Sequence, residues 1–141
     1  MHLSALHVFP VKSCAALVLD EAQVERRGLV HDRRWMVVDD EGRFITGREA
    51  PRLVLVRAEP LPGGLRLSAP GMPDLQVAEP VDGRSGVTVW RDQVDALSAS
   101  EQANDWLTRF LGRDCRLVFM DEAAQRPVDH TYARAGDEVS F

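Results

Sequence analysis

Lysine is nearly missing from this chain. Of its 17 basic residues, one, Lys12, is a lysine and the other 16 are arginines. Lysine carries a compact ammonium on a flexible stem, whereas arginine carries a planar fork, so a site built around an ammonium cannot exchange the two freely. The plain alternative is that a single lysine has to fall somewhere. Cysteine is also scarce. Cys14 and Cys115 stand about a hundred positions apart, which gives neither a disulfide framework nor a thiolate metal cluster, and a reducing cytoplasm is the expected compartment. No apolar run approaches the ~20 residues that cross a bilayer, so no membrane partner is expected. The first fourteen residues have no early positive cluster and break at Pro10 and Lys12, unlike a secretory signal. An excess of positive charge is lacking too: 22 acidic residues outnumber the basic ones, the net charge is -5 and the pI is about 5.3. That balance excludes a general nucleic-acid binder. Familiar catalytic signatures are absent as well: no Gly-x-Ser-x-Gly, no His-Glu-x-x-His, no glycine loop of the phosphate-cradling kind.

What remains is an ordinary globular composition, with 45% apolar and 28% charged residues in 141 positions. It predicts one domain with a core of its own. Strand character runs from Leu3 to Phe9, closed by Pro10. Leu17 to Val24 alternates and reads as a second strand. Trp35 to Val38 and Arg43 to Thr46 flank an Asp/Gly turn, a hairpin signal. Leu53 to Glu59 and Leu65 to Ser68 flank Pro62-Gly63-Gly64, and Leu75 to Ala78 and Val87 to Trp90 are further short strands. Ala103, Trp106, Leu107, Phe110 and Leu111 fall on one face of a helix, predicted over about 99–111. Ser98 and Glu101 have capping-box spacing, and Gly112 supplies the stop. This stripe is read as core packing, not ligand contact. Arg116 to Met120 reads as a closing strand. The expected fold is therefore mostly β: a rolled or barrel-like antiparallel sheet with one amphipathic core helix. The last stretch, Asp121 to Phe141, is polar and without a period.

Among residues that can carry chemistry, His2, His7, His31 and His130 lack the spacing of a metal pair and are read as surface or satisfied core. Asp39-Asp40-Glu41 is read as a solvated hairpin tip. Three basic groups stand out at strand ends or loops: Lys12-Ser13; Arg33 in Leu29-Val30-His31-Asp32-Arg33-Arg34-Trp35; and Arg48 with Arg52 in Thr46-Gly47-Arg48-Glu49-Ala50-Pro51-Arg52-Leu53. Loops at one rim of a barrel can converge on a ligand, and an ammonium, a hydroxyl and a guanidinium together suit a phosphate. The alternative is that Asp32 and Glu49 form surface ion pairs of little worth with neighbouring arginines.

Phe9-Pro10-Val11-Lys12-Ser13-Cys14, then Gly28-Leu29 with His31-Asp32-Arg33-Arg34-Trp35-Met36-Val37, then Thr46 to Leu53, resembles in order and spacing the N-terminal β-barrel domain of MOSC proteins. That family includes the mitochondrial amidoxime-reducing component and its bacterial relatives. The resemblance implies a domain over 1–120 and, over 121–141, a junction toward a C-terminal catalytic MOSC domain that this chain lacks. Such a segment, awaiting its packing partner, is expected to be poorly ordered. It also implies a molybdenum cofactor, a pterin carrying a phosphate, bound only together with that C-terminal domain, in cis or in trans, whose cysteine holds the metal. Carried over by position, Lys12, Ser13 and Arg33 are phosphate contacts. Arg48 and Arg52 lie in a family motif and form a second-tier cofactor or substrate rim. No catalytic residue and no metal ligand is expected in this chain. Cys14 is read as a buried thiol despite its place beside Lys12, and Cys115 as core. The family reduces N-hydroxylated compounds, so an iron–sulfur or flavin protein is the implied redox partner. The reading from a different class is a stand-alone module that binds an anion, a phosphate or a protein.

Overall fold

The computed structural model describes residues 1–129 and 131–141. The expectation for His130 lies outside them. The chain is mostly β with one helix, arranged as a strongly curled half-barrel. Its strands are β1 (Leu6–Val8), β2 (Leu17–Leu19), β3 (Val24–Glu25), β4 (Gly28–Leu29), β5 (Trp35–Val38), β6 (Arg57–Leu61), β7 (Gly64–Ser68), β8 (Leu75–Ala78), β9 (Arg84–Val89), β10 (Asp92–Ser98) and β11 (Arg116–Phe119). The helix, α1 (Glu101–Leu111), lies between β10 and β11 in sequence.

The central sheet has the order β5-β11-β10-β9, antiparallel throughout. All four residues of β5 are buried, because both faces of this sheet are covered. Trp35, Val37 and Leu117 face one core with α1 and the three-stranded sheet β6-β7-β8. Met36, Val38, Val118 and Met120 face a second core with Val87, Val89, Val94 and Ala96. The Arg43–Thr46 run closes the curl without forming a regular strand: Phe44 bridges Val38, and Arg43 bridges Thr88 of β9. In the turn before it, Asp39 Oδ1 accepts the N–H groups of Glu41 and Arg43, both at 2.9 Å. That is the solvated hairpin tip expected there.

Several boundaries differ from the sequence pattern for physical reasons. Leu53 to Glu59 is not one strand: Pro51 opens a 3-10 turn over Pro51–Leu55 that buries Leu53, and β6 follows. Proline is preset for such a first turn. The run from Leu17 to Val24 splits into β2 and β3. The helix cap is Ser100, whose hydroxyl accepts from the Ala103 N–H at 3.3 Å, and not Ser98. Ser98 belongs to β10, and its hydroxyl receives Arg116. Arg116–Phe119 is a central strand between β5 and β10, not a closing one.

The 121–141 segment is held, against the expectation that it would be poorly ordered. Arg27 is buried and donates to the carbonyls of Met120 (3.3 Å), Asp121 (2.8 Å), Glu122 (3.3 Å) and Ala124. It also pairs with Glu138 at 3.4 Å. Ala124 and Phe141 enter the second core, and the Phe141 N–H donates to the Arg33 carbonyl at 3.2 Å. Residues 131, 132 and 134–137, between these anchored ends, are exposed.

Candidate functional site

Pro10 ends β1, and the chain then runs alongside the start of β5. The Arg33 N–H donates to the Phe9 carbonyl (2.7 Å), the Trp35 N–H to the Pro10 carbonyl (3.2 Å), and the Lys12 N–H to the Trp35 carbonyl (2.9 Å). Asp32 Oδ1 adds a bond from the Phe9 N–H at 2.8 Å. This short ladder joins two of the sequence motifs, which are twenty residues apart along the chain. The third motif abuts them: a Cβ added to Gly47 would sit 3.9 Å from the Ser13 carbonyl oxygen.

Three residues in this region hold left-handed φ without being glycine: Ser13 (67°), His31 (67°) and Arg33 (51°). Each such residue costs roughly 1–3 kcal/mol and persists only where its surroundings over-determine it. Two of the three are the proposed phosphate contacts.

The electrostatics are unusual for a chain of net charge -5. Lys12 is half-buried, and its ammonium makes no hydrogen bond or ion pair among the described residues. Its pKa falls from 10.5 to about 8, first because burial strips water from the charge, then through the nearby guanidinium groups of Arg126 and Arg33; Asp32 opposes the shift. The Asp32 carboxylate is already committed to the Phe9 N–H and, at 3.2 Å, to Arg33. The Lys12 ammonium lies 5.7 Å from the centre of the Phe44 ring, and the Arg33 guanidinium 5.4 Å from that of Phe9. The Lys12 ammonium and the Arg33 guanidinium are near enough to repel, and Ser13 follows Lys12 in the chain.

Arg126 is a further cation beside Lys12, and no motif in the sequence marks it. It reaches back from the 121–141 segment, held by Asp92 at 2.7 Å and by the Ser140 carbonyl at 2.9 Å. Its polar, aperiodic surroundings carry no sequence signal that would single it out. The second-tier pair divides. Arg52 is turned to α1, with Nε on the Phe110 carbonyl at 2.9 Å and its guanidinium 4.3 Å from the Phe110 ring centre. Arg48 is exposed and makes no ion pair among the described residues.

The cysteines are poor ligands as folded. Cys14 is buried, and burial pushes its thiol up to about 12. Cys115 is buried beside Thr108, and its thiol is raised by burial as well. Both therefore stay protonated at neutral pH, and the thiolate is the metal-binding form. Among the described residues no group of three His, Cys, Asp or Glu could hold a metal ion.

A cavity of about 690 Å³ lies elsewhere, lined by Pro10, Arg34, Trp35, Leu65, Phe119 and Asp121 among others. None of Lys12, Ser13 and Arg33 lines it, and the Arg34 guanidinium there is already paired with Glu25.

The fold is that of a small, mostly antiparallel β domain curled into a half-barrel, with one helix. The chain belongs to the MOSC N-terminal beta barrel domain family, which matches residues 1–114. It is 33% identical to mitochondrial amidoxime-reducing component 1 of Xenopus laevis over 89% of the chain and 39% of that protein. To the molybdenum cofactor sulfurase of Danio rerio it is 31% identical over 82% of the chain and 15% of that protein. The chain thus spans less than half the length of these curated relatives. A Bordetella bronchiseptica protein solved in solution matches with a TM-score of 0.55 and 27% identity, over 71% of this chain and 88% of that one. No helix among the described residues is long and apolar enough to cross a membrane.

Proposed function

We propose that this domain is the accessory β-barrel of a molybdenum-cofactor oxidoreductase, with Lys12, Ser13 and Arg33 taking the phosphate of the cofactor's pterin. The observation that carries the reading is a half-buried ammonium with no anionic partner of its own, set beside two guanidinium groups. Like charges held together disfavour the charged form, so the arrangement is poised for an anion from outside. The left-handed backbone at Ser13 and Arg33 supports the same reading, since stored strain gathers at ligand clamps. Two of the similar proteins are named for the molybdenum cofactor or for amidoxime reduction.

In this reading a catalytic MOSC domain, in cis or in trans, supplies the metal-binding cysteine, and the molybdenum centre supplies the two-electron chemistry. This chain performs none of the chemistry. Its residues bind and orient: the Lys12 ammonium and Arg33 fork neutralise the phosphate, and the Ser13 hydroxyl offers a rotatable donor. Burial of Lys12 keeps water from competing for the ammonium. A charge-assisted hydrogen bond is worth roughly 1.5–3 kcal/mol. In the protein that joins this domain to its catalytic partner, Lys12→Ala is therefore expected to weaken cofactor retention roughly ten- to a hundredfold. Unchanged molybdenum content in the purified variant would remove Lys12 from the site.

A second reading has one observation in its favour. The Bordetella bronchiseptica relative is covered over 88% of its own length, so a chain of nearly this size also carries this architecture. That supports a stand-alone module that binds a phosphate or a protein. Phosphate-induced shifts clustered at Lys12, Ser13 and Arg33 are common to both readings; dependence of cofactor retention on Lys12 belongs to the first alone.

A further inference from the structure

An amine differs from a guanidine in one respect that anion binding does not use: once it loses its proton it is a nucleophile. Lys12 carries the one side-chain amine of the chain. Its Nζ is half-buried and makes no hydrogen bond or ion pair among the described residues. Its backbone is fixed, with the N–H on the Trp35 carbonyl at 2.9 Å. The Phe44 ring beside Nζ offers a face and no acceptor for a proton.

The charged groups that act on Lys12 are Arg126, Arg33 and Asp32. The carboxylates here are engaged elsewhere. Asp32 accepts the Phe9 N–H and pairs with Arg33 at 3.2 Å, and Asp92 holds Arg126 through Nε at 2.7 Å. Both guanidinium groups keep donors to spare. Arg126 uses Nε and Nη1 on Asp92 and the Ser140 carbonyl, which leaves Nη2 without a partner among the described residues. Arg33 spends only Nη1, on Asp32. Conversion of the ammonium to a neutral or negative group therefore relieves repulsion. At pH 7 roughly a tenth of Lys12, with its pKa of about 8, has a free electron pair. An ordinary lysine has about one part in three thousand.

We infer that Lys12 is an acceptor of carbon dioxide, forming a carbamate on Nζ that the spare donors of Arg33 and Arg126 hold. The nitrogen lone pair attacks the carbon of carbon dioxide. An N–C bond forms, one C=O π pair moves onto oxygen, and the proton displaced from nitrogen passes to water. Nothing is oxidised or reduced, and no further reactant is consumed. The side chain changes from a cation to an anion, so two repulsive contacts become charge-assisted hydrogen bonds. Carbon dioxide is small and uncharged, which suits a half-buried nitrogen. Arginine cannot take this role, because its guanidinium stays protonated. The inference does not rest on the phosphate reading: carbamate and phosphate are alternatives at the same nitrogen, and each excludes the other.

The test uses the intact chain near neutral pH in buffer containing ¹³C-labelled bicarbonate and dissolved carbon dioxide. Lys12 and the N-terminus are its two primary amines, so the N-terminus is an internal reference. Trapping with triethyloxonium and peptide mass mapping assigns each carbamate to its amine. A ¹³C carbamate resonance and a trapped adduct on Lys12 are expected. Lys12→Arg, which keeps the positive charge, should remove that resonance. Arg126→Gln should lower the occupancy of Lys12 roughly two- to fivefold, the worth of one partly exposed charge pair, and leave the N-terminal adduct unchanged. Added inorganic phosphate should lower the Lys12 adduct alone. A Lys12 carbamate indifferent to phosphate would count against the phosphate reading and leave this inference standing. Trapped adduct on the N-terminus only, or the same Lys12 occupancy in Arg126→Gln as in its parent, would overturn the inference.

Discussion

At the scale of single residues, Lys12 is both the one lysine of the sequence and a half-buried cation in the structure. Its rarity in the composition marked it. The ammonium reports its own environment through pH. With its folded pKa lowered to about 8 from an ordinary 10.5, the unfolded chain binds the proton more tightly. Stability therefore rises with pH between about 8 and 10.5, and the cost of the buried charge is fully present below 8. Lys12→Met keeps the apolar stem and removes the charge. The variant should be more stable than its parent at pH 7, with a gap that narrows as pH rises through 8 toward 10.5. Urea midpoints of both proteins across that range test it, and a pH-independent gap would mean the ammonium is not strained. A residue that lowers stability while serving a ligand is the familiar trade-off at binding sites. Arg126, the third cation, was not legible. Nothing local to it distinguishes it from other arginines, because its place depends on a backbone that returns from the far end of the chain. The placement of Arg52 was not legible for the complementary reason: a motif gives proximity along the chain, whereas the Phe110 ring and carbonyl receive the side chain.

At the scale of elements, the amphipathic stripe from Ala103 to Leu111 was readable because its period is strong, and Ala103, Trp106, Leu107 and Phe110 are buried as expected. Its cap was misassigned by two residues. Ser98 and Ser100 both precede the helix, and strand pairing of Ser98 with Val118 leaves only Ser100 free to turn inward. Ser100→Ala should therefore cost about 1 kcal/mol in chemical denaturation, as loss of an N-cap does. Ser98→Ala should leave the helix intact and disturb only the hydroxyl that receives Arg116. Equal losses would place the cap elsewhere. The longest strand, β10, has no sequence expectation behind it. Asp92, Gln93 and Asp95 are weak strand formers, yet Val94 and Ala96 point inward and pairing on both sides imposes the extended form. Here tertiary context overrides propensity.

At the scale of the whole molecule, the fully apolar β5 is covered on both faces, and the second cover includes Ala124 and Phe141. The guanidinium of Arg27 ties that cover down by its hydrogen bonds to backbone carbonyls and its pairing with Glu138. Arg27→Ala strands buried acceptors and should cost roughly 2–4 kcal/mol, measured by urea unfolding. A loss below 1 kcal/mol would mean that the 121–141 segment is not anchored there. The same segment delivers Arg126 to the corner, so the mouth is a property of the assembled chain and not of any one motif. The most direct test of that mouth is titration of the isotope-labelled chain with inorganic phosphate at pH 7, following the backbone amide resonances of every residue. Saturable shifts concentrated at Lys12, Ser13 and Arg33, and extending to Arg126, are expected. Shifts absent from those four positions, or spread evenly over the surface arginines, would contradict the existence of a built phosphate site.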